Sequence, residues 1–132
     1  MKVSTESPIV MVDDDDIDIY FIKRSLVNSS ITNPFLPFHS GPSFLEYMEQ
    51  VRLGNQAMPK VVLLDINMPR MDGYQLYGIL RGYREFKYLP SIIFYSHSDD
   101  PHDRDLVKEI QASFQEKFSN RNAAVEFLES LL

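Results

Sequence analysis

The chain has 132 residues, 44% hydrophobic and 24% charged, with a formal net charge of −6 and no cysteine. Those figures suit one folded domain, residues 1–132, with a sizeable core; they exclude disulfides and cysteine nucleophiles and argue against a nucleic-acid-binding surface. No apolar run approaches the ~20 residues of a membrane span, and the polar extension of residues 1–7 carries no signal region, so a cytoplasmic location is expected. Pro8-Ile9-Val10-Met11-Val12 is a short unalternated apolar run, the pattern of a strand buried on both faces. A helix is predicted from about Asp16 to Asn28, with Ile17, Phe21, Ile22, Ser25 and Leu26 at helical spacing and Asp15 or Asp16 as its N-cap. Asn33 to Ser40 reads as a poor strand, because Pro34 and Pro37 cannot donate to a ladder, and so belongs on a sheet edge. Gly41-Pro42-Ser43 opens a second helix carrying Phe44, Leu45, Met48 and Val51, ended by Gly54.

Val61-Val62-Leu63-Leu64 is the clearest buried strand, and like the first it ends in acid, at Asp65. A loop from Ile66 to Asp72 leads to a third helix with Tyr74, Tyr77 and Leu80. Ser91 to Tyr95 is a third apolar strand, ending in Ser96-His97-Ser98. Pro101 fits the first turn of a fourth helix with Leu106, Val107 and Ile110 on its apolar face. Ala112 to Lys117 forms a last, polar and therefore edge strand, and Ser119 or Asn120 caps a final helix through Val125, Leu128 and Leu131.

Five strands alternating with five helices imply an α/β fold with a parallel sheet covered on both faces. The strands bearing proline or charge belong outside and the apolar ones inside. That selects the doubly wound order 2-1-3-4-5, in which ligands sit beyond the carboxyl ends of the strands, where the order reverses. Asp13 and Asp14 follow strand 1 and Asp65 follows strand 3, so all three meet at that place. Alone, the run Asp13 to Asp16 would read as a solvated turn or helix start. Three carboxylates in one crevice need protonation, a cation or a lysine to offset their repulsion. An all-oxygen donor set selects a hard cation such as magnesium. A carboxylate beside such an ion can attack phosphorus to give an acyl phosphate.

The segments IVMVDDDDIDIYFIKRSL (Ile9 to Leu26), VVLLDINMPRMDGYQL (Val61 to Leu76) and PSIIFYSHSDDP (Pro90 to Pro101) resemble, in order, segments of response-regulator receiver domains, including the chemotaxis-regulator-like single-domain type. The resemblance runs from Pro8 to the C-terminus and implies a flavodoxin-like (βα)5 fold working in two-component or phosphorelay signalling. It implies Asp65 as phosphoacceptor, Asp14 as a direct ligand of Mg2+ (or Mn2+), Asp13 holding the ion through water, and the backbone carbonyl of Asn67 as a further ligand. Ser96 and Lys117 would contact the phosphoryl group, and Phe114 would be the aromatic residue that changes rotamer on phosphorylation. The implied donor is a histidine kinase or histidine phosphotransfer protein. The implied output is a protein target docked on the surface of helix 4, strand 5 and helix 5, without nucleic acid or membrane. The protein would catalyse only its own phosphotransfer and autodephosphorylation.

Two departures from the family pattern stand out. His97 occupies a place where the family usually carries a small residue, so His97, with Ser98 beside it, is expected to tune access to the phosphoryl site and to slow small phosphodonors. Phe118 follows Lys117 where the family generally has proline, commonly after a cis peptide. A cis bond before Phe118 would cost ~2.5–4 kcal/mol, so a trans bond and an altered seat for Lys117 are both open. The Gly-Ala that usually separates the fourth helix from strand 5 is also missing. Three rival readings fit the residues less well. An aspartyl-phosphate hydrolase would need an aspartate where Asn67 stands. An EF-hand loop fails at Ile17 and Asp18. A degenerate receiver acting as a phosphorylation-independent docking module is disfavoured by the intact Asp13, Asp14, Asp65, Ser96 and Lys117.

Overall fold

A computed structural model describes residues 6–97 and 100–132. The strands are β1 (Ile9–Val12), β2 (Phe35–Phe38), β3 (Val61–Leu64), β4 (Ser91–Ser96) and β5 (Ser113–Glu116), all parallel in the order β2-β1-β3-β4-β5. The helices are α1 (Asp16–Val27), α2 (Gly41–Arg52), α3 (Gly73–Arg81), α4 (Pro101–Glu109) and α5 (Arg121–Leu131). A short 3-10 turn at Arg84–Phe86 seats the buried Phe86 and had no clear sequence signal. Among the described residues no helix is long and apolar enough to cross a membrane.

The central strands explain the architecture. Their side chains alternate between two cores because successive residues of a strand point to opposite faces. Val10, Val12, Val62, Leu64, Ile92 and Phe94 meet Phe44 and Met48 of α2, Leu76 and Leu80 of α3, and Val107 of α4. Ile9, Met11, Val61, Leu63, Ile93 and Tyr95 meet Ile19 and Ile22 of α1 and Ala124 and Leu128 of α5. β2 and β5 are only partly buried, as their proline and charge require.

Some local expectations need correction. Ile17 is not on the packed face of α1: it is 78% exposed, because the buried stripe runs Ile19, Ile22, Ser25 and Ile17 lies round the opposite side of the helix. β4 runs one residue further than expected, to Ser96, whereas β5 stops one residue before Lys117. The α4–β5 connection lacks glycine, and Gln111 takes the left-handed conformation there with φ 58°.

Candidate functional site at the carboxyl edge of the sheet

In-register parallel strands bring their carboxyl ends to one edge. Val12 pairs with Leu64, Leu64 with Phe94, and Ser96 with Glu116, so Asp13, Asp65, Ser96 and Lys117 emerge side by side. Backbone bonds continue the ladder beyond the strands and fix these residues. The Asp13 N–H donates to the Phe38 carbonyl at 2.9 Å, Asp65 N–H to Val12 at 3.0 Å and Lys117 N–H to Ser96 at 3.0 Å. Asp13, Asp65 and Ser96 are buried, whereas Asp14 is exposed at the rim.

Gly73, at the start of α3, lies against the phosphoacceptor candidate. A Cβ there would stand 2.3 Å from the Asp65 carbonyl oxygen, so only glycine allows this approach. The Gly73 N–H donates to Ile66 O at 2.8 Å, and Asp72 and Gln75 form a reciprocal cap on α3. The intervening loop carries Asn67 outward, exposed, two residues after Asp65.

The polar groups converge. Ser96 Oγ donates to Asp65 Oδ1 at 3.0 Å. Lys117 Nζ, on a side chain only 4% exposed, lies 2.6 Å from Asp13 Oδ2, 2.7 Å from Asp18 Oδ2 and 3.8 Å from Asp65 Oδ1. Lys117 therefore reaches the acids despite Phe118. The bond between them is trans, Leu89–Pro90 being the cis peptide among the described residues. Phe118 has an N–H that proline would lack, and it donates to the Tyr95 hydroxyl at 3.1 Å. The Phe118 ring packs on Tyr95 and Phe127. This seats the loop by another route.

One ammonium cannot balance these acids. Burial, and then the charge of Asp13, push the Asp65 carboxyl up to about 6, against the opposing pull of Lys117 and Ser96. Burial also raises Asp13, although Lys117 touches it. Burial would lower the Lys117 pKa, but its bonds to Asp13 and Asp18 outweigh that and raise it. An isolated ion pair shifts its acid down and its base up; here Asp13 and Lys117 both rise, because burial of Asp13 outweighs the pull of the lysine. The divided contact is visible at Asp13 Oδ2, which has no well-directed hydrogen bond: the ammonium at 2.6 Å is a charge contact of poor alignment.

Asp13, Asp14 and Asp65 each offer an oxygen within 4.8 Å of the others. The all-oxygen donors and the crowding of buried carboxylates that one lysine only partly offsets fit a hard divalent cation. Over residues 9–128 the sequence matches the family model described as the response regulator receiver domain. The chain belongs to that family. A stretch of 84 residues of this receiver domain is 36% identical to the sensor histidine kinase CheAY of Helicobacter pylori, covering 64% of the chain and 10% of the kinase. It is 24% identical over 94 residues to the response regulator Rcp1 of Synechocystis, covering 70% of the chain and 64% of Rcp1. The matched stretches thus span less than two thirds of these relatives. Among solved structures, Mn2+-bound Rcp1 superimposes with TM-score 0.75 at 20% identity, over 99% of this chain and 91% of Rcp1. A phosphorylated cyanobacterial phytochrome response regulator, RcpA, gives 0.79 at 22%, over 96% and 91%. A two-component response regulator of Cytophaga hutchinsonii gives 0.80 at 18%, over 97% and 98%. These likenesses match the flavodoxin-like order 2-1-3-4-5.

Phe114 is half-buried on β5, beside Phe94, with the Arg104 guanidinium 5.3 Å over its ring. Arg104 also reaches Glu116 at 3.3 Å, tying α4 to β5. His97 is exposed and turned toward Asp18, at 3.3 Å. Ser98 lies outside the described residues. Sequence reasoning missed Asp18. As an acid in the first turn of α1 it looked like a favourable partner of the helix dipole, and its contacts with His97 and Lys117 form only once the fold brings the ends of β4 and β5 to the start of α1.

Proposed function

We propose that this receiver domain takes a phosphoryl group onto Asp65 from a phosphohistidine of a histidine kinase or histidine phosphotransfer protein. The observation that carries the reading is the convergence on Asp65 of the Ser96 hydroxyl at 3.0 Å and the Lys117 ammonium at 3.8 Å, beside the buried Asp13. Asp65 attacks phosphorus, its new O–P bond forming as the donor's N–P bond breaks, and the imidazole leaves with the bonding pair. Ser96 donates its hydroxyl and Lys117 its charge to the phosphoryl oxygens. Asp13, Asp14, Asp65 and the Asn67 carbonyl would hold Mg2+ or Mn2+, Asp13 through water. When bound, that ion supplies charge to offset the electrons gathering on the phosphoryl oxygens. The fold shared with Mn2+-bound Rcp1 and phosphorylated RcpA supports both assignments.

The output is conformational. Phe114, packed between the sheet and Arg104, is the aromatic residue placed to change rotamer, and the α4–β5–α5 surface is the face offered to a target protein. A change there biases a two-state equilibrium only through contacts that differ between the states. The protein works in the cytoplasm, apart from nucleic acid and membrane, and catalyses no reaction beyond its own phosphorylation and dephosphorylation. The intact acids, hydroxyl and ammonium support this over the phosphorylation-independent docking module. Labelled phosphate transferred from a panel of phosphorylated histidine phosphotransfer proteins should appear on wild type and be absent from Asp65→Asn. Equal labelling of the two would refute the assignment.

A further inference from the structure

Asp18 belongs to neither the acid trio nor the surface. Its side chain is 17% exposed, and its two oxygens are tied to two different strand ends: Oδ2 to Lys117 Nζ at 2.7 Å, after β5, and Oδ1 to His97 Nε2 at 3.3 Å, after β4. Asp18 stands in the first turn of α1, whose N-cap Asp15 accepts the Ile17 N–H at 2.9 Å. Burial alone would raise the Asp18 pKa, but the bond and charge of Lys117, then His97, hold it below the ordinary range, so it is ionised.

Lys117 lies closer to Asp13 and Asp18 than to Asp65. A divalent ion among Asp13, Asp14 and Asp65 would compete with the ammonium for the Asp13 carboxylate and repel it. Among the described residues, Asp18 is the one close partner of Lys117 that is not a candidate ligand of the ion. We propose that Asp18 is a positioning residue: it parks the Lys117 ammonium beside the acid cluster, so that lysine and divalent cation occupy the site together. His97 braces the outer oxygen and keeps the inner one turned to the lysine. The inference rests on the phosphoacceptor reading of the site and adds to it a residue outside the metal and phosphoryl shell.

Without Asp18, Lys117 turns wholly to Asp13 and Asp65 and opposes the metal. Mn2+ alone serves as the probe, its free ion counted by electron paramagnetic resonance in titrations of wild type, Asp18→Asn, Lys117→Met and the double variant. Asp18→Asn is expected to weaken Mn2+ binding about fivefold, Lys117→Met to tighten it, and Asp18→Asn to have no effect in the Lys117→Met background. Lys117→Gln replaces the methionine background if that variant does not fold. Equal weakening in both backgrounds would make Asp18 merely a nearby negative charge. No weakening in either would end its positioning role. Both results overturn the proposal and leave the metal site standing, whereas wild type that takes up no Mn2+ removes the cation reading and the proposal together.

Discussion

Replacing Asp65 with asparagine should stabilise the metal-free protein while abolishing its phosphorylation. The Asp65 carboxyl is held at about 6, against an ordinary 3.8, by burial and by the neighbouring Asp13. A folded-state pKa raised above the unfolded one means that the group supports the fold fully below pH 3.8 and loses that support as pH rises through about 6. By pH 7 the ionised, crowded Asp65 destabilises the fold by about 3 kcal/mol, and by about half of that at pH 5. Asparagine keeps the shape and can still accept the Ser96 hydroxyl, but carries no charge to be crowded. Urea denaturation in EDTA at pH 7 and pH 5 measures the difference. The variant should be the more stable at both, with the larger gain at pH 7, and Mg2+ should narrow the gap by stabilising wild type. An asparagine variant no more stable than wild type at pH 7, or a gain that grows as pH falls, would refute the picture of an uncompensated acid cluster.

Gly73→Ala should lose about 3 kcal/mol of stability, because its Cβ would meet the Asp65 carbonyl oxygen at 2.3 Å; an unchanged urea midpoint would contradict the close approach. Gln111→Gly should gain about 1 kcal/mol by relieving a side chain at φ 58°, read by the same assay. Lys117→Met should lose about 3 kcal/mol in EDTA, since it strips a buried carboxylate of its counter-charge, and much of the loss should return with Mg2+. At saturating Mg2+, where any loss of the His97 brace on Asp18 is masked, His97→Ala should quicken labelling by acetyl phosphate a few-fold; an unchanged rate would show that His97 does not restrict small donors.

The sheet was legible because its central strands are unbroken apolar runs, and because Pro34, Pro37, Gln115 and Glu116 mark the edges. Strand order then placed Asp13, Asp14 and Asp65 together, since each follows a strand whose end the topology brings to one crevice. Ser96 could be read for the same reason. The seat of Lys117 was not legible: Phe118 removes the usual proline, and the compensating bond from its N–H to Tyr95 exists only once β4 and β5 are paired. Asp18 was hidden more deeply. Its local setting, a first-turn acid on a helix, fully accounts for it in the sequence, and its tie to a lysine ninety-nine residues away forms only once the fold brings the residue after β5 to the start of α1. Ile17 misled because an apolar residue in the first turn reads as part of the packed stripe, whereas the stripe that meets the sheet, Ile19, Ile22 and Ser25, runs round the other side of α1.

Intact mass after incubation with acetyl phosphate, with Mg2+ or with EDTA, tests the central claim most directly. Wild type should gain one adduct of ~80 Da with the metal and none with the chelator, and Asp65→Asn should gain none in either. An adduct that persists in the asparagine variant, or forms equally well in EDTA, would contradict a metal-assisted acceptor at Asp65.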